Sequence, residues 1–82
     1  MELTIRASVP EAMMTRQAAD IATRMSAYRA RVLLRRQNIT VNAKSLMGVL
    51  SAGLCDGQDV TIVAQGPDEA QAVCELARLL GA

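Results

Sequence analysis

The sequence predicts an α+β fold with one layer of antiparallel strands and one layer of helices. Strand-type alternation and helix-type spacing of apolar residues follow one another in the order β-α-β-β-α-β-α along the 82 residues. Helices that follow the strands of a small antiparallel sheet must cover one of its faces. We therefore expect an open-faced β-sandwich, a four-stranded antiparallel sheet covered on one face by three helices, of which the second is short.

Length and composition predict a single globular domain over residues 1–82. Hydrophobic residues make up 51% of the chain and charged residues 21%, an ordinary balance for a packed domain. The net charge of +1 gives no overall field that would attract nucleic acid or an anionic membrane. We expect no direct nucleic-acid partner and no membrane partner.

The residue types also limit cofactor and metal chemistry. The chain contains no histidine and two cysteines, Cys55 and Cys74, which do not make a zinc ligand set. A signal peptide and an apolar run of about 20 residues are not recognisable in it. The expectation is a reduced, cytoplasmic protein with no metal and no cofactor.

The first strand and first helix are predicted from a change in apolar spacing. Residues 2–7 alternate, which would bury Leu3, Ile5 and Ala7. Thr15 is the preferred N-cap of the helix, and the capping-box spacing of Ser8 and Glu11 is an earlier alternative. The buried helix face is predicted from spacings of three, four and seven, at Ala18, Ile21, Ala22, Met25 and Tyr28.

A hairpin follows the first helix. Val32 and Leu34 point to one side of the second strand, and residues 39–42 return as the third. Gln37 and Asn38 form the turn, with Asn38 expected to tolerate positive φ. The four arginines in residues 29–36 are interpreted as solvated charges, because no aromatic stacking partner lies beside them.

Residues 41–54 contain the short second helix. Ser45 is placed as its N-cap and Gly53 at its end. At about 100° per residue, Leu46, Met47 and Leu50 lie on one side, and Val49 and Ala52 lie roughly on the other. A small domain buries one side of such a helix, so the exposed side is either an interaction surface or is covered by loops.

The fourth strand covers residues 59–65, and the last helix follows a Gly-Pro turn. Pro67 is expected at the first helical position and Gly81 just beyond the end. Cys74 is expected in or beside the apolar stripe as a small hydrophobe. The stripe itself is predicted at Ala70, Val73, Leu76, Ala77 and Leu80.

One segment resembles a known family. Residues 41–51, Val-Asn-Ala-Lys-Ser-Leu-Met-Gly-Val-Leu-Ser, are similar to the serine-phosphorylation segment of HPr, the small phosphocarrier of the bacterial sugar phosphotransferase system. The Asn-Ala-Lys-Ser motif of residues 42–45 is especially similar to Crh, the HPr-like regulatory branch. The predicted element order is also that of the HPr fold, with a weaker match before residue 30.

The resemblance implies a change at the phosphocarrier site. In the family, a histidine that carries the phosphoryl group is followed by Ala-Arg-Pro, whereas this chain has Met14-Thr15-Arg16-Gln17. Arg16 matches the family arginine, and Met14 occupies the histidine position. A thioether cannot attack, carry and release a phosphoryl group as an imidazole does. The resemblance therefore implies no catalytic residue here. Arg16 is either a partner- or anion-binding residue or a solvated charge.

The regulatory serine of the family matches Ser45. The resemblance implies that an HPr kinase/phosphorylase modifies Ser45 and that a LacI-type catabolite regulator reads the product. A phosphate at the start of a helix would meet its free amides and add roughly −1.5 to −2 charges beside Leu46, Met47 and Leu50. The expected function is protein–protein interaction in carbon catabolite regulation, with Ser45 as the phosphorylation site and Arg16, Leu46, Met47 and Leu50 as partner-binding residues.

Two other interpretations compete with this one. Ser45 is a plain N-cap in the first, and the chain is a diverged HPr paralogue that binds through Leu46, Met47 and Leu50 without phosphorylation. In the second the chain is an enzyme, but the sequence offers no nucleophile with an adjacent base and no arguable carboxylate pair. We therefore expect a non-enzymatic protein.

Overall fold

The computed structural model describes residues 1–10, 13–53 and 57–81. The described residues form four strands and three helices in the predicted order. They are β1 (Glu2–Arg6), α1 (Met14–Met25), β2 (Arg31–Arg36), β3 (Ile39–Asn42), α2 (Leu46–Ser51), β4 (Asp59–Gln65) and α3 (Glu69–Leu79).

All strand pairs of the sheet are antiparallel, in the order β1-β4-β2-β3. The register places Leu34 opposite Ile62 and Val32 opposite Ala64, so the buried side chains of β2 and β4 form one continuous face. α3 packs on β4, β2 and β1, α2 packs on β3, and α1 contacts both of the other helices. The fold is therefore the four-stranded antiparallel sheet with three helices that the sequence predicted.

The core is aliphatic and lies between the sheet and the helices. Alternation predicted the burial of Val32 and Leu34, and helical spacing predicted the inner face of α1; both are confirmed. Ala18, Ile21, Ala22 and Met25 are buried, and Tyr28 packs against the core just beyond the helix. Burial of an aliphatic side chain contributes about 1.5–3 kcal/mol, so these positions carry much of the stability of a small domain.

Leu3 differs from its prediction. It is 40% exposed, although it lies opposite buried Ile62 and so points to the helix side of the sheet. Ile5 on the same face is half-buried and packs against the core. β1 is an edge strand, so the helix layer covers its inner face less completely than it covers β2 and β4.

The start of α1 also differs from its prediction. Met13 is the N-cap and makes no side-chain capping bond, which leaves Thr15 inside the first turn. The alternative capping box includes Glu11, which lies outside the described residues. The helix ends at Met25 rather than at Tyr28.

The predictions for α3 are corrected in three places. The helix begins at Glu69 with Asp68 as N-cap, so Pro67 precedes the helix instead of opening it. Ala70 and Cys74 are exposed, whereas Ala72 is buried together with the expected Val73, Leu76 and Leu80. Two residues along a helix is a rotation of about 200°, which turns Ala70 and Cys74 away from Ala72. Cys55 lies outside the described residues.

The predicted turn between β2 and β3 and the predicted glycine after α3 are both present. Gln37 rather than Asn38 adopts positive φ, at 55°, in the β2–β3 turn. Gly81 has φ 86° just past α3, as expected for a glycine C-cap.

Candidate functional site

Ser45 lies at the junction of β3 and α2, where two local hydrogen bonds turn the chain. The Lys44 amide donates to the Asn42 side-chain oxygen (2.9 Å), and the Ser45 amide donates to the Asn42 carbonyl (3.0 Å). Asparagine favours this geometry because its short side chain reaches the backbone two residues on. The extended backbone of Ser45 (φ −106°, ψ 120°) then feeds directly into the helix.

The predicted N-cap is confirmed at Ser45. Its Oγ accepts a hydrogen bond of 3.1 Å from the Gly48 amide, and its carbonyl accepts one of 2.9 Å from the Val49 amide. The hydroxyl thus satisfies one of the amides that a helix start leaves without an intrahelical partner. Ser45 is half-buried.

Gly48 is a residue of this site that the sequence reasoning did not single out. A Cβ at this position would lie 3.2 Å from the Asn42 carbonyl oxygen and 3.4 Å from Ser45 Oγ. The contact with the Asn42 oxygen is tighter than most contacts of a Cβ atom, whereas 3.4 Å is an ordinary van der Waals distance. The absence of a side chain therefore lets the first turn of α2 lie close to the Asn42 carbonyl. A glycine within a helix sequence is the signal that could have indicated this close approach.

The side chains of α2 divide into a buried and an outer side as predicted. Val49 is fully buried and Ala52 is 1% exposed, whereas Leu46 is 42% and Met47 is 71% exposed. Leu50 is half-buried and packs partly against the core. We call Leu46, Met47 and Leu50 the apolar patch. Loops of the described chain leave Leu46 and Met47 accessible, so the interpretation in which loops cover both sides is wrong for these two residues.

Lys44 connects the start of α2 to the end of α1. Its Nζ donates a hydrogen bond of 2.7 Å to the Tyr28 carbonyl, and the side chain is half-buried. Lys44 therefore ties the residue next to Ser45 to the α1–β2 loop. Only its adjacency to Ser45 could have marked Lys44 in the sequence, since its partner is 16 residues away.

The same loop is tied to the start of α3 by Asp68. The two carboxylate oxygens of Asp68 accept hydrogen bonds from the backbone amides of Arg29 (2.9 Å) and Ala30 (2.8 Å). The Arg29 amide is the largest influence that holds the pKa of Asp68 below its usual value, against partial desolvation, and Lys44 acts in the same direction. Beside this loop, burial and the Glu75 carboxylate raise the pKa of Tyr28.

Gly66 allows this loop contact because it has no side chain. A Cβ there would lie 2.5 Å from the Ala30 Cα, and its φ of 151° is one that other residues rarely adopt. The α1–β2 and β4–α3 loops therefore meet backbone to backbone, which places Asp68 under the Ala30 amide.

Met14 and Arg16 lie in the first turn of α1. Met14 is half-buried and packs against the core, and Arg16 is exposed. Within the described residues Arg16 forms no ion pair, and no hydrogen bond joins it to Ser45. α1 and α2 contact each other, but the structure gives no direct link between Arg16 and the apolar patch.

Metal chemistry has no support in the described part of the chain, where three or more His, Cys, Asp or Glu side chains do not cluster in a way that would hold an ion. Across the same residues, no helix combines the length and the apolar character needed to cross a membrane. The site is therefore built from a serine hydroxyl, backbone amides, one lysine and an apolar surface.

Comparison with known proteins identifies the family. The family model described as "PTS HPr component phosphorylation site" matches residues 1–82. The phosphocarrier protein HPr of Treponema pallidum is 36% identical over 76 residues, which are 93% of this chain and 86% of that protein. The HPr-like protein Crh of Bacillus subtilis is 37% identical over 65 residues, 79% of this chain and 76% of Crh.

A solved structure gives the same result. The phosphocarrier protein HPr of Bacillus anthracis superposes with a TM-score of 0.92 at 28% identity, covering 98% of this chain and 95% of that chain. The sequence match over the whole chain and the shared arrangement of sheet and helices agree with each other. The chain therefore belongs to the HPr family.

Proposed function

We propose that this chain is a regulatory member of the HPr family that is phosphorylated on Ser45 by an HPr kinase/phosphorylase and acts by binding a LacI-type catabolite regulator. The observation that carries the proposal is the position of Ser45. Its hydroxyl lies immediately before an accessible apolar patch, so one added phosphate would change the charge beside a surface suited to protein contact. Such a role implies a cytoplasmic protein, because the kinase needs ATP.

Transfer of a phosphoryl group through a histidine is not available to these 82 residues, because they contain none. Met14, at the position where the family resemblance puts the carrier, offers a half-buried thioether. A thioether does not form a phosphoryl adduct that can be passed on. This supports a regulatory role over a carrier role and agrees with the similarity to Crh.

The surroundings of Ser45 favour a phosphate that switches binding without unfolding the helix. The Gly48 amide already donates to Oγ, and phosphate oxygens are stronger acceptors than a hydroxyl. Lys44 adds a nearby positive charge. We therefore expect α2 to persist, with Leu46 and Met47 supplying apolar contact area and the phosphate pairing with an arginine or lysine of the regulator.

The proposal also includes Arg16 as a partner-binding residue. It is exposed and makes no ion pair with any described residue, so its guanidinium is available to a partner carboxylate. Its assignment is tested by Arg16→Gln, with Arg24→Gln, an exposed arginine later on α1, as the matched control. Arg16→Gln should weaken regulator binding and Arg24→Gln should not.

Intact-mass measurement after incubation with ATP and an HPr kinase/phosphorylase tests the proposal. Wild type should gain one phosphate. Ser45→Asn should gain none, while it keeps the N-cap because asparagine caps as well as serine. Ser51→Ala is the matched control, since Ser51 lies on the same helix and its Oγ donates to the Met47 carbonyl. It should be phosphorylated like wild type; phosphate on Ser45→Asn, or none on wild type with the host's own kinase, would refute the proposal.

The alternative is a binding module that works without phosphorylation, and the exposure of Leu46 and Met47 favours it independently of Ser45. Pull-down with the regulator separates the two. If Ser45→Asn binds as wild type does and Met47→Glu does not, the patch acts alone. If binding requires phosphorylated Ser45, the alternative is excluded.

A further inference from the structure

A polar cavity lies at the turn end of the sheet, at the other end of α2 from Ser45. Its volume is about 410 Å³, near the lower end of the range for small-molecule sites. The lining residues come from the end of β2, the β2–β3 turn and the start of β4: Arg35, Arg36, Gln37, Gln58, Asp59 and Thr61. Nothing in the proposed role of Ser45 uses this cavity.

Arg36 gives the cavity its positive charge. Its Nε donates to the Ala52 carbonyl (2.8 Å) and its Nη1 donates to Gln58 Oε1 (2.8 Å). Both acceptors are neutral, and within the described residues no carboxylate pairs with Arg36. The guanidinium is half-buried, so solvent screens its charge less than that of an exposed arginine.

The other charges of this region occur as pairs. Arg35 Nη2 lies 2.7 Å from Glu2 Oε1, and Arg6 Nε lies 3.6 Å from Asp59 Oδ1. Among the described residues of this region, the carboxylates of Glu2 and Asp59 pair with Arg35 and Arg6. The positive charge of Arg36 has no carboxylate partner among these residues. An anion that enters the cavity would compensate that charge.

The remaining lining groups suit a ligand that also carries hydroxyls. The amide groups of Gln37 and Gln58 and the hydroxyl of Thr61 can each donate or accept a hydrogen bond, and the Asp59 carboxylate accepts only. Guanidinium groups match the oxygens of a phosphate in a two-pronged geometry. We propose that this cavity binds a small hydroxylated phosphomonoester through Arg36. This inference does not depend on phosphorylation of Ser45.

Binding would also affect α2. The Arg36 side chain holds the carbonyl of Ala52, the C-cap residue of that helix. A guanidinium that turns toward a phosphate loosens its bond to this carbonyl. Ligand binding in the cavity would therefore weaken a contact at the C-terminal end of α2, the helix whose N-terminal end carries Ser45.

The test is a titration of the ¹⁵N-labelled protein with glycerol 2-phosphate, followed by amide chemical shifts. Glycerol in sodium chloride of equal ionic strength is the control for hydroxyl contacts and charge screening. We expect saturable shifts at the amides of Arg36, Gln37, Gln58 and Thr61, and a smaller shift at Gly53, which follows the Ala52 carbonyl. Absence of saturable shifts, equal shifts with the control solution, or shifts centred on Ser45 would overturn the proposal.

Gln58→Glu is the decisive variant. It offers Arg36 a carboxylate in place of a neutral amide oxygen, so the fold keeps its contact while the Arg36 charge gains a carboxylate partner. Glycerol 2-phosphate binding should weaken about tenfold or more, the effect expected from losing a charge-assisted contact. Arg31→Gln is the matched control, exposed on β2 and about 13 Å from Arg35 along the strand. Equal weakening in both variants would refute the assignment to Arg36.

The phosphomonoester could be a free molecule or a lipid headgroup, and a second arm separates these. Protein is sedimented with phosphatidylcholine vesicles with and without phosphatidic acid. Sedimentation that requires phosphatidic acid and is lost in Gln58→Glu assigns a headgroup. A positive titration without sedimentation assigns a free ester. Both results keep the site, and a titration without saturable shifts removes it whatever the outcome at Ser45.

Discussion

The ammonium of Lys44 donates a hydrogen bond of 2.7 Å to the carbonyl oxygen of Tyr28, and so ties the start of α2 to the end of α1. The carbonyl belongs to the turn that follows α1, where the helix no longer supplies donors for it. Lys44, the residue immediately before Ser45, therefore has a structural role.

Replacing Lys44 by methionine should lower the free energy of unfolding by about 1 kcal/mol, because the Tyr28 carbonyl loses its donor while the apolar stem of the side chain is kept. Urea denaturation measures the change. Arg24→Met, an exposed change on α1, should stay within about 0.5 kcal/mol of wild type. Equal stability of Lys44→Met and wild type would show that the hydrogen bond contributes nothing net.

The N-cap at Ser45 gives a second prediction. Ser45→Ala should destabilise the protein by about 1 kcal/mol, because the Gly48 amide loses the oxygen that now accepts its hydrogen bond. Ser45→Asn should remain close to wild type, since asparagine also caps. Thermal unfolding of the three proteins checks this, and an asparagine variant as unstable as the alanine variant would contradict the capping role.

Stability toward acid should depend on Asp68. Its pKa in the folded protein is lowered, chiefly by the Arg29 amide, so ionised Asp68 stabilises the fold at pH values above its unfolded pKa of about 3.9. As the pH falls below that value, the unfolded chain binds the proton first, and the stabilisation is lost by the time the pH passes the lower folded pKa.

Asp68→Asn cannot titrate, so the stability gap between wild type and this variant should shrink as the solution is acidified through this range. Urea midpoints at a series of pH values measure the gap. Glu69, whose pKa is lowered mainly by its hydrogen bond to the Met1 ammonium, titrates in both proteins and cancels in the comparison. A gap that stays constant or widens on acidification would contradict the role of the Asp68 carboxylate.

The two loops that meet at Ala30 should not tolerate a side chain at Gly66. Gly66→Ala places a Cβ 2.5 Å from the Ala30 Cα in addition to imposing an unfavourable φ, so the backbone must move. Gly57→Ala is the control, because its φ is 84° but nothing lies within 4 Å of its Cβ. Gly57→Ala should cost about 1–3 kcal/mol from φ alone, and Gly66→Ala distinctly more. Equal thermal destabilisation would show that the contact with Ala30 can relax.

Much of this fold is predictable from local patterns. Alternation in β2 and β4 and the spacing of three and four in α1 determine which side chains face the core, because these repeats match the geometry of a strand and of a helix. The Ser45 N-cap and the glycine after α3 are equally local, since each depends on residues within one turn.

Tertiary structure decided how far each inward position is covered. Leu3 points to the helix side of the sheet, as predicted. It lies on an edge strand, however, and its exposure depends on how far the helix layer extends. The inner side of α3 is centred between Ala72 and Leu76, and this rotation of the helix leaves Cys74 outside. The spacing of apolar residues predicts the buried face of a helix only to within the width of its apolar stripe. Packing then determines the rotation of the helix about its own axis.

The sequence by itself determined the order of the elements, the inner faces of β2 and α1 and the family, because periodicity and short motifs are properties of neighbouring residues. The Lys44–Tyr28 bond, the Asp68 tether and the hydrogen bond of Arg36 to Ala52 were decided only by the tertiary structure. Their partners lie 16 or more residues away along the chain. No local pattern specifies such contacts, since their distances exist only once the sheet and helices have packed.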